Sequence, residues 1–302
     1  MAEKILEIKS INQLHQTLGL GKPKHPLITV FDAQKIAVSE NEVGAKVIPY
    51  LYMIAVKDKS CGIEYGRNHF DFAEGVMVFT APRQASTLTH VIHPGDIRGW
   101  MLYFHPDLIH GTHLGQQIEE YSFFNYETYE ALHLSEDEEK IINDCIHNIE
   151  GEYNQRIDSH SQRVIVSNLE LLLNYCLRYY ERQFNTRKKQ NIGTVSQFEK
   201  ELRQYFAANT QEIEGLPSIK YFSDKIHLSP HYLSDLLKKE TGRSAKDHIN
   251  DFVIEKAKTL LLSTEHSISE IAYDLGFNYP HYFTRLFKSR TGCSPMEYRS
   301  LN

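Results

Sequence analysis

Apolar residues change their spacing once along this chain, and the change predicts two domains. Between residues 27 and 104 they come in short runs, Leu27–Phe31, Val47–Val56, Val76–Thr80 and Ile97–Phe104. These runs are rich in Val, Ile, Tyr and Phe and are broken by Gly44, Gly62, Gly66, Gly75, Pro82, Pro94 and Gly95, the mark of strands separated by turns. Short strands with regular breaks predict an antiparallel barrel or sandwich. After Pro106 the helical period takes over. Ser135-Glu-Asp-Glu138 is a capping box that opens a helix with Ile142, Ile146, Ile149 and Tyr153 on one face. A second helix, from about Ser161 to Phe184, spaces Ile165, Leu169, Leu172, Cys176 and Tyr179 by alternating fours and threes, the seam of a coiled coil. Two partners fit that seam: a second copy of the chain, or the neighbouring helix or barrel.

The polar stretch from Arg182 to Gly193, with Arg187-Lys188-Lys189 inside it, predicts a linker. The expected organisation is an α+β chain. A domain over residues 1–181 holds a barrel at about 25–106 and helices at about 135–184; a linker covers 182–194; an all-helical domain covers 195–302.

The helical domain repeats itself. Pro230-His231-Tyr232-Leu233 returns as Pro280-His281-Tyr282-Phe283, and the match runs on through Leu236/Leu286, Lys238/Lys288, Thr241/Thr291, Gly242/Gly292 and Ser244/Ser294. Upstream the pairs Ile226/Leu275 and Leu228/Phe277 sit one residue closer, so the second turn carries one extra residue. Each copy reads as a helix-turn-helix. In the second, Ser267 and Glu270 form a capping box, Ile268, Ile271, Ala272 and Leu275 an apolar stripe, and Gly276 suits the left-handed stop. Asn278 is placed to cap the next helix, which is expected to bury Tyr282, Phe283, Leu286 and Phe287 and to project His281, Arg285 and Lys288. In the first copy Ser218 and Ser229 are the caps, Leu233, Leu236 and Leu237 face inward, and His231, Ser234 and Asp235 face out. A helix from about Ala245 to Leu262 joins the copies. At ~1.5 Å per residue it is about 27 Å long, a spacer suited to major-groove segments ~34 Å apart on one face of a duplex.

Residues 194–302 resemble the AraC/XylS-type DNA-binding domain. The resemblance is carried by Ile268-Ser-Glu-Ile-Ala-Tyr-Asp-Leu-Gly-Phe277, by Tyr282-Phe-Thr-Arg-Leu-Phe-Lys288, and by Thr291-Gly292, Ser294-Pro295 and Tyr298-Arg299. The N-terminal part is loosely similar to the cupin-like sensing barrels, followed by paired helices, that often precede this domain; Gly99-Trp-Met-Leu-Tyr-Phe-His-Pro-Asp107 looks like the barrel's last strand. The resemblance implies a regulator that binds double-stranded promoter DNA as a homodimer, contacts RNA polymerase, and answers to a small-molecule effector. It places base contacts on His231, Ser234 and Asp235 in the first copy and on Pro280, His281 and Arg285 in the second. An arginine fork can bond guanine O6 and N7 together, worth ~1–3 kcal/mol of discrimination. Asp235 departs from the family by standing where an arginine often sits, and Ser223 by standing where alanine is usual. Phosphate contacts fall on Ser229, Lys238, Asn278, Lys288 and Arg290; an ion pair to Asp274 is the competing use of Arg285. Dimerisation falls on Ile165, Leu169, Leu172, Cys176 and Tyr179.

Composition adjusts this picture in three places. The net charge of −6 sits entirely in residues 1–190, whereas residues 191–302 hold 14 basic and 14 acidic side chains; a neutral domain with a local basic face binds DNA with weak nonspecific affinity. Cys61, Cys145, Cys176 and Cys293 lie far apart with no Cys-x-x-Cys pair, which predicts reduced thiols and no structural zinc. No apolar run approaches the ~20 residues of a membrane span, and the first residues are not those of a secretory signal, so a cytoplasmic protein is expected. Tyr52, Arg67, His69 and Tyr103, polar residues on or near strands, are the candidate effector contacts. The rival reading is a metal-dependent cupin enzyme fused to the DNA-binding domain, and a further one makes the N-terminal part a protein-interaction module. Against the enzyme, no His-x-His pair occurs among the 16 histidines, and His69, Asp71 and Glu74 make a partial ligand set. No cofactor is expected, and no P-loop, Rossmann fingerprint or nucleophile elbow is present.

Overall fold

The computed structural model describes residues 5–57, 75–88, 90–127, 130–186 and 188–301. Its strands are β1 Ile5–Ile8, β2 Ile28–Asp32, β3 Lys46–Pro49, β4 Tyr52–Lys57, β5 Val76–Thr80, β6 Ser86–Thr87, β7 Gly99–Phe104 and β8 Leu132–His133. Its helices are α1 Ile11–Thr17, α2 His113–Gln117, α3 Glu136–Tyr153, α4 Ser161–Thr186, α5 Lys188–Ala207, α6 Gln211–Glu214, α7 Ile219–Ile226, α8 Pro230–Thr241, α9 Ala245–Ser263, α10 Ile268–Asp274, α11 Pro280–Thr291 and α12 Pro295–Leu301. Contacts divide the chain into two units, Met1–Asn185 and Thr186–Asn302.

In the first unit the strands form two sheets, ordered β1-β3-β6 and β2-β7-β4-β5-β8. The expected closed barrel is not formed among the described residues. Val47–Val56, expected as one strand, is two, because Pro49 has no N–H to give a ladder. The chain changes sheets there: Tyr50 N–H goes to Ile8 O at 2.7 Å, and Leu51 is fully buried. β1 and α1, which precede the first expected strand, complete the smaller layer.

The five-stranded sheet has two apolar faces. Ile11 and Leu14 of α1 pack in one cluster with Phe31, Ile36 and Leu51, and Tyr103 and Met101 lie against that cluster. On the opposite face Phe79 meets Phe123 at 4.5 Å between ring centres, Phe123 stacks on Tyr180, and Cys176 Sγ lies 3.9 Å from Met77 Sδ. Helix α4 is thereby seated on the sheet. Its seam, Ile165, Leu169, Leu172, Cys176 and Tyr179, is spent inside the unit: the first four are fully buried and Tyr179 is 5% exposed. That corrects the dimer assignment; the apolar seam satisfies its own domain and leaves nothing for a second copy. The capping box Ser135/Glu138 is present at the start of α3, and Arg182 of α4 ties down that same end with a 2.5 Å ion pair to Glu138 and a hydrogen bond to His133 O.

The stretch expected as a linker is helical on both sides of Arg187, in α4 and α5. Polarity misleads there because α5 is amphipathic: Asn191 is buried with its amide donating to Glu240 at 3.0 Å, and Phe198, Leu202 and Phe206 enter the core of the second unit. That core runs through α5 and α7–α11 and gathers Phe222, Leu233, Leu237, Ile249, Val253, Ala257, Ile271, Phe283 and Phe287.

A paired helix-turn-helix surface

Each copy of the repeat folds as a helix, a tight turn and a second helix. In the first, α7 stops at His227, which takes the left-handed conformation (φ 61°, ψ 45°), and Leu228 N–H returns to Ser223 O at 3.0 Å. In the second, α10 ends before Gly276 (φ +89°), and Phe277 N–H returns to Ala272 O at 2.9 Å. The two turns thus use one device, although only the second has the glycine that makes a left-handed residue cheap. Behind Gly276 the backbone is crowded. Leu216 N–H donates to Gly276 O at 3.1 Å, the Gln211 amide donates to Asp274 O at 3.2 Å, and a Cβ on Gly276 would lie 2.8 Å from the Gly215 carbonyl carbon.

The extra residue separates the copies. α8 is capped by Ser229, whose hydroxyl accepts from Tyr232 N–H at 3.2 Å. α11 is preceded by Tyr279 with no side-chain cap, so Asn278 is exposed and does not cap the helix as expected. The two capping boxes at Ser244/Asp247 and Ser267/Glu270 are both closed. α9, with 19 residues, is about 28 Å long at ~1.5 Å per residue.

Of the residues expected to touch bases, His231, His281 and Arg285 are exposed, and Ser234, Asp235 and Pro280 are half-buried. Arg285 does not pair with Asp274, which instead meets His266 Nδ1 at 3.1 Å; its guanidinium lies over the Tyr282 ring, 5.3 Å from the centroid. Lys238 and Lys288 are exposed in the last turns of α8 and α11. Two phosphate assignments need correction. Ser229 is 3% exposed and is occupied by its cap. Arg290 is held by Asp247 and, at 3.3 Å, by Asp251, so its charge is already balanced by two carboxylates at the start of α9. Hydrogen bonds from Ser244 and then from Arg290 hold the Asp247 carboxyl down to about 2. Tyr282, expected in the core, is 48% exposed, whereas its repeat partner Tyr232 is 6% exposed.

Of the four effector candidates, two are described, Tyr52 and Tyr103. Arg67 and His69, with Asp71, Glu74 and Cys61, lie outside the described residues. Tyr52 pairs in register with Phe104 while Tyr103 pairs with Met53, and since successive strand residues alternate the two tyrosines point to opposite faces of one sheet. Tyr52 stacks on Phe104 at 4.8 Å and Tyr103 on Phe31 at 6.0 Å; burial raises both phenols. The clustered histidines turn to carboxylates, His110 to Asp107 at 3.1 Å and His113 to Glu170 at 3.0 Å. Among the described residues no three His, Cys, Asp or Glu side chains are placed to hold a metal. A cleft of about 520 Å³ lies elsewhere in the first unit, lined by His15, Lys22, Lys24, Phe31, Asp32, Lys35, Glu150 and Tyr153 among others. His15 is wired into it. Its Nδ1 donates to Gly21 O at 2.5 Å, and its Nε2 lies 2.8 Å from the Thr29 hydroxyl.

Two left-handed turns, each followed by a helix with an exposed polar face and joined through one core, define the C-terminal unit as a double helix-turn-helix domain. Residues 222–300 match the family described as Helix-turn-helix domain, of the AraC type. The chain is similar to the HTH-type transcriptional regulator YfiF of Bacillus subtilis (strain 168), 34% identical over 150 residues, 49% of this chain and 44% of that protein. It is also similar to the arabinose operon regulatory protein of Escherichia coli (strain K12), 40% identical over 73 residues, 24% of this chain and 25% of that one. Among solved structures, the C-terminal domain of AraT, a response regulator from Geobacillus stearothermophilus, shares 34% identity over 35% of this chain and 85% of its own, with a TM-score of 0.30. The chain spans less than half the length of the curated relatives it matches.

Proposed function

We propose that the whole chain is a sequence-specific DNA-binding transcriptional regulator and not an enzyme. One observation carries this: two copies of a helix-turn-helix share one core and expose, on α8 and α11, His231, Lys238, His281, Arg285 and Lys288. Base reading is assigned to His231, Ser234, Asp235, His281 and Arg285, and phosphate contact to Lys238, Asn278 and Lys288. The partners are promoter DNA and RNA polymerase in the cytoplasm; no helix among the described residues is long and apolar enough to cross a membrane. Self-association has to use a surface other than the α4 seam.

A second, narrower reading concerns the first unit. Its cleft falls within the ~300–1,000 Å³ of small-molecule sites, and three lysines against two carboxylates on its walls favour a small polar effector with negative charge. The DNA-binding function is tested by mapping the duplexes that the full chain retains at low salt. Protection of two patches about one helical turn apart supports it; failure to hold any promoter fragment removes it.

A further inference from the structure

The second copy of the repeat exposes an aromatic patch, one member of which, Tyr282, its sequence pattern assigns to the core. Tyr279 is 58% exposed and Tyr282 48%. His281 lies 4.2 Å from the Tyr282 ring and 5.7 Å from Tyr279, and the two tyrosine rings are 6.0 Å apart. Tyr282 and Arg285 are three residues apart on α11, hence on one helix face, and the guanidinium sits over the phenol ring. The first copy has no such patch: Tyr232 occupies the same repeat position and is buried, and Asp235 stands in place of Arg285. The long α5 packs on both α7 and α8, and the almost equally long α9 packs on both α10 and α11. The extra residue in the second turn brings the Tyr279 ring beside His281.

Resting on the DNA-binding reading above, we infer that Tyr282 is a positioning and specificity-determining residue of the second helix-turn-helix. It holds Arg285 by its ring face and presents the ring edge to a thymine C5-methyl next to the guanine that Arg285 reads. The chemistry is selective. In the major groove, the methyl of thymine is the apolar group that a base pair displays, and arginine takes guanine O6 and N7. An aromatic surface beside an arginine matches a thymine beside a guanine. A guanidinium stacked on a ring is also held in fewer conformations before binding, which favours its bidentate contact.

The test starts from a site selected by the full chain out of a randomised duplex pool. Each thymine is then replaced singly by deoxyuridine, which removes the methyl and keeps the base pairing. Wild type is expected to lose about fourfold in affinity at one position, the ~0.8 kcal/mol of one buried methyl group. Tyr282→Phe should lose the same, and Tyr282→Ala should show no methyl dependence there and a broadened preference at the adjacent G·C pair. A wild-type chain that selects a site but ignores every deoxyuridine overturns the inference and leaves the DNA-binding reading standing. The inference also falls if Tyr282→Ala alters transcription with its base preferences intact, which would assign the patch to a protein partner. A chain that selects no duplex overturns both.

Discussion

Replacing Gly276 by alanine separates two costs that a turn glycine can hide. One is backbone strain. At φ +89° an L-residue is unfavourable by ~1–2 kcal/mol. The other is space, because the new Cβ would stand 2.8 Å from the Gly215 carbonyl carbon and 3.0 Å from Leu216 N. Both are backbone atoms, and Leu216 N is already engaged with Gly276 O, so something must move at a cost of ~1–3 kcal/mol. Gly292 provides the control: its φ is +84° and nothing lies within 4 Å of its would-be Cβ. Loss of chain entropy in the unfolded state favours both alanines alike and cancels in the comparison. Gly276→Ala is therefore expected to unfold the second unit ~1–3 kcal/mol more readily than Gly292→Ala. Near ~4 °C per kcal/mol, that is roughly 4–12 °C in a thermal melt of the full chain. Equal melting of the two variants would refute the argument from close approach.

Arg285→Ala should cost ~1–3 kcal/mol on the selected site and relax preference at one base pair, whereas Lys288→Ala should weaken all duplexes alike and lower the salt slope by about one; binding measured against salt tells them apart. Arg290→Ala should leave that slope unchanged and destabilise the second unit by no more than ~1 kcal/mol, since its carboxylate partners are partly solvated. Asp247 sets an acid limit on the same unit. Its folded pKa of about 2 lies below the usual 3.8, so its contribution is complete above pH 3.8 and is lost as the pH falls toward 2. Melting followed over that window should show a shallower decline in Asp247→Asn. Leu172→Ala, at a fully buried position, should cost ~2–5 kcal/mol without changing the mass seen by light scattering; a dissociated but equally stable protein would return the seam to the dimer.

Local signals in the sequence were legible wherever one residue type has one physical use. The repeat, the boxes at Ser135/Glu138 and Ser267/Glu270, and the stop at Gly276 all formed. The left-handed stop of the first turn falls on His227, a residue that takes that conformation less readily than glycine, so the repeat marked that turn where the residue itself did not. The helical period of α4 was plain, but periodicity states that a face is buried and not what buries it; the aromatic layer around Phe79, Phe123 and Tyr180 supplied that answer. Charge on Arg290 promised a phosphate contact, and two acids about forty residues upstream used it instead. Tyr282 stood at a core position by spacing, yet it is exposed where its repeat partner Tyr232 is buried. Tyr52 and Tyr103 failed as a pair through strand parity, which only the register revealed.

The single residue gained by the second turn has a consequence for whether the two copies can be exchanged. The loop that differs in length also sets where the following helix begins. The later second helix therefore starts after Tyr279 with no side-chain cap, whereas the earlier one starts from the Ser229 cap. Grafting the shorter loop onto the later module would remove Tyr279, and with it the ring that lies beside His281.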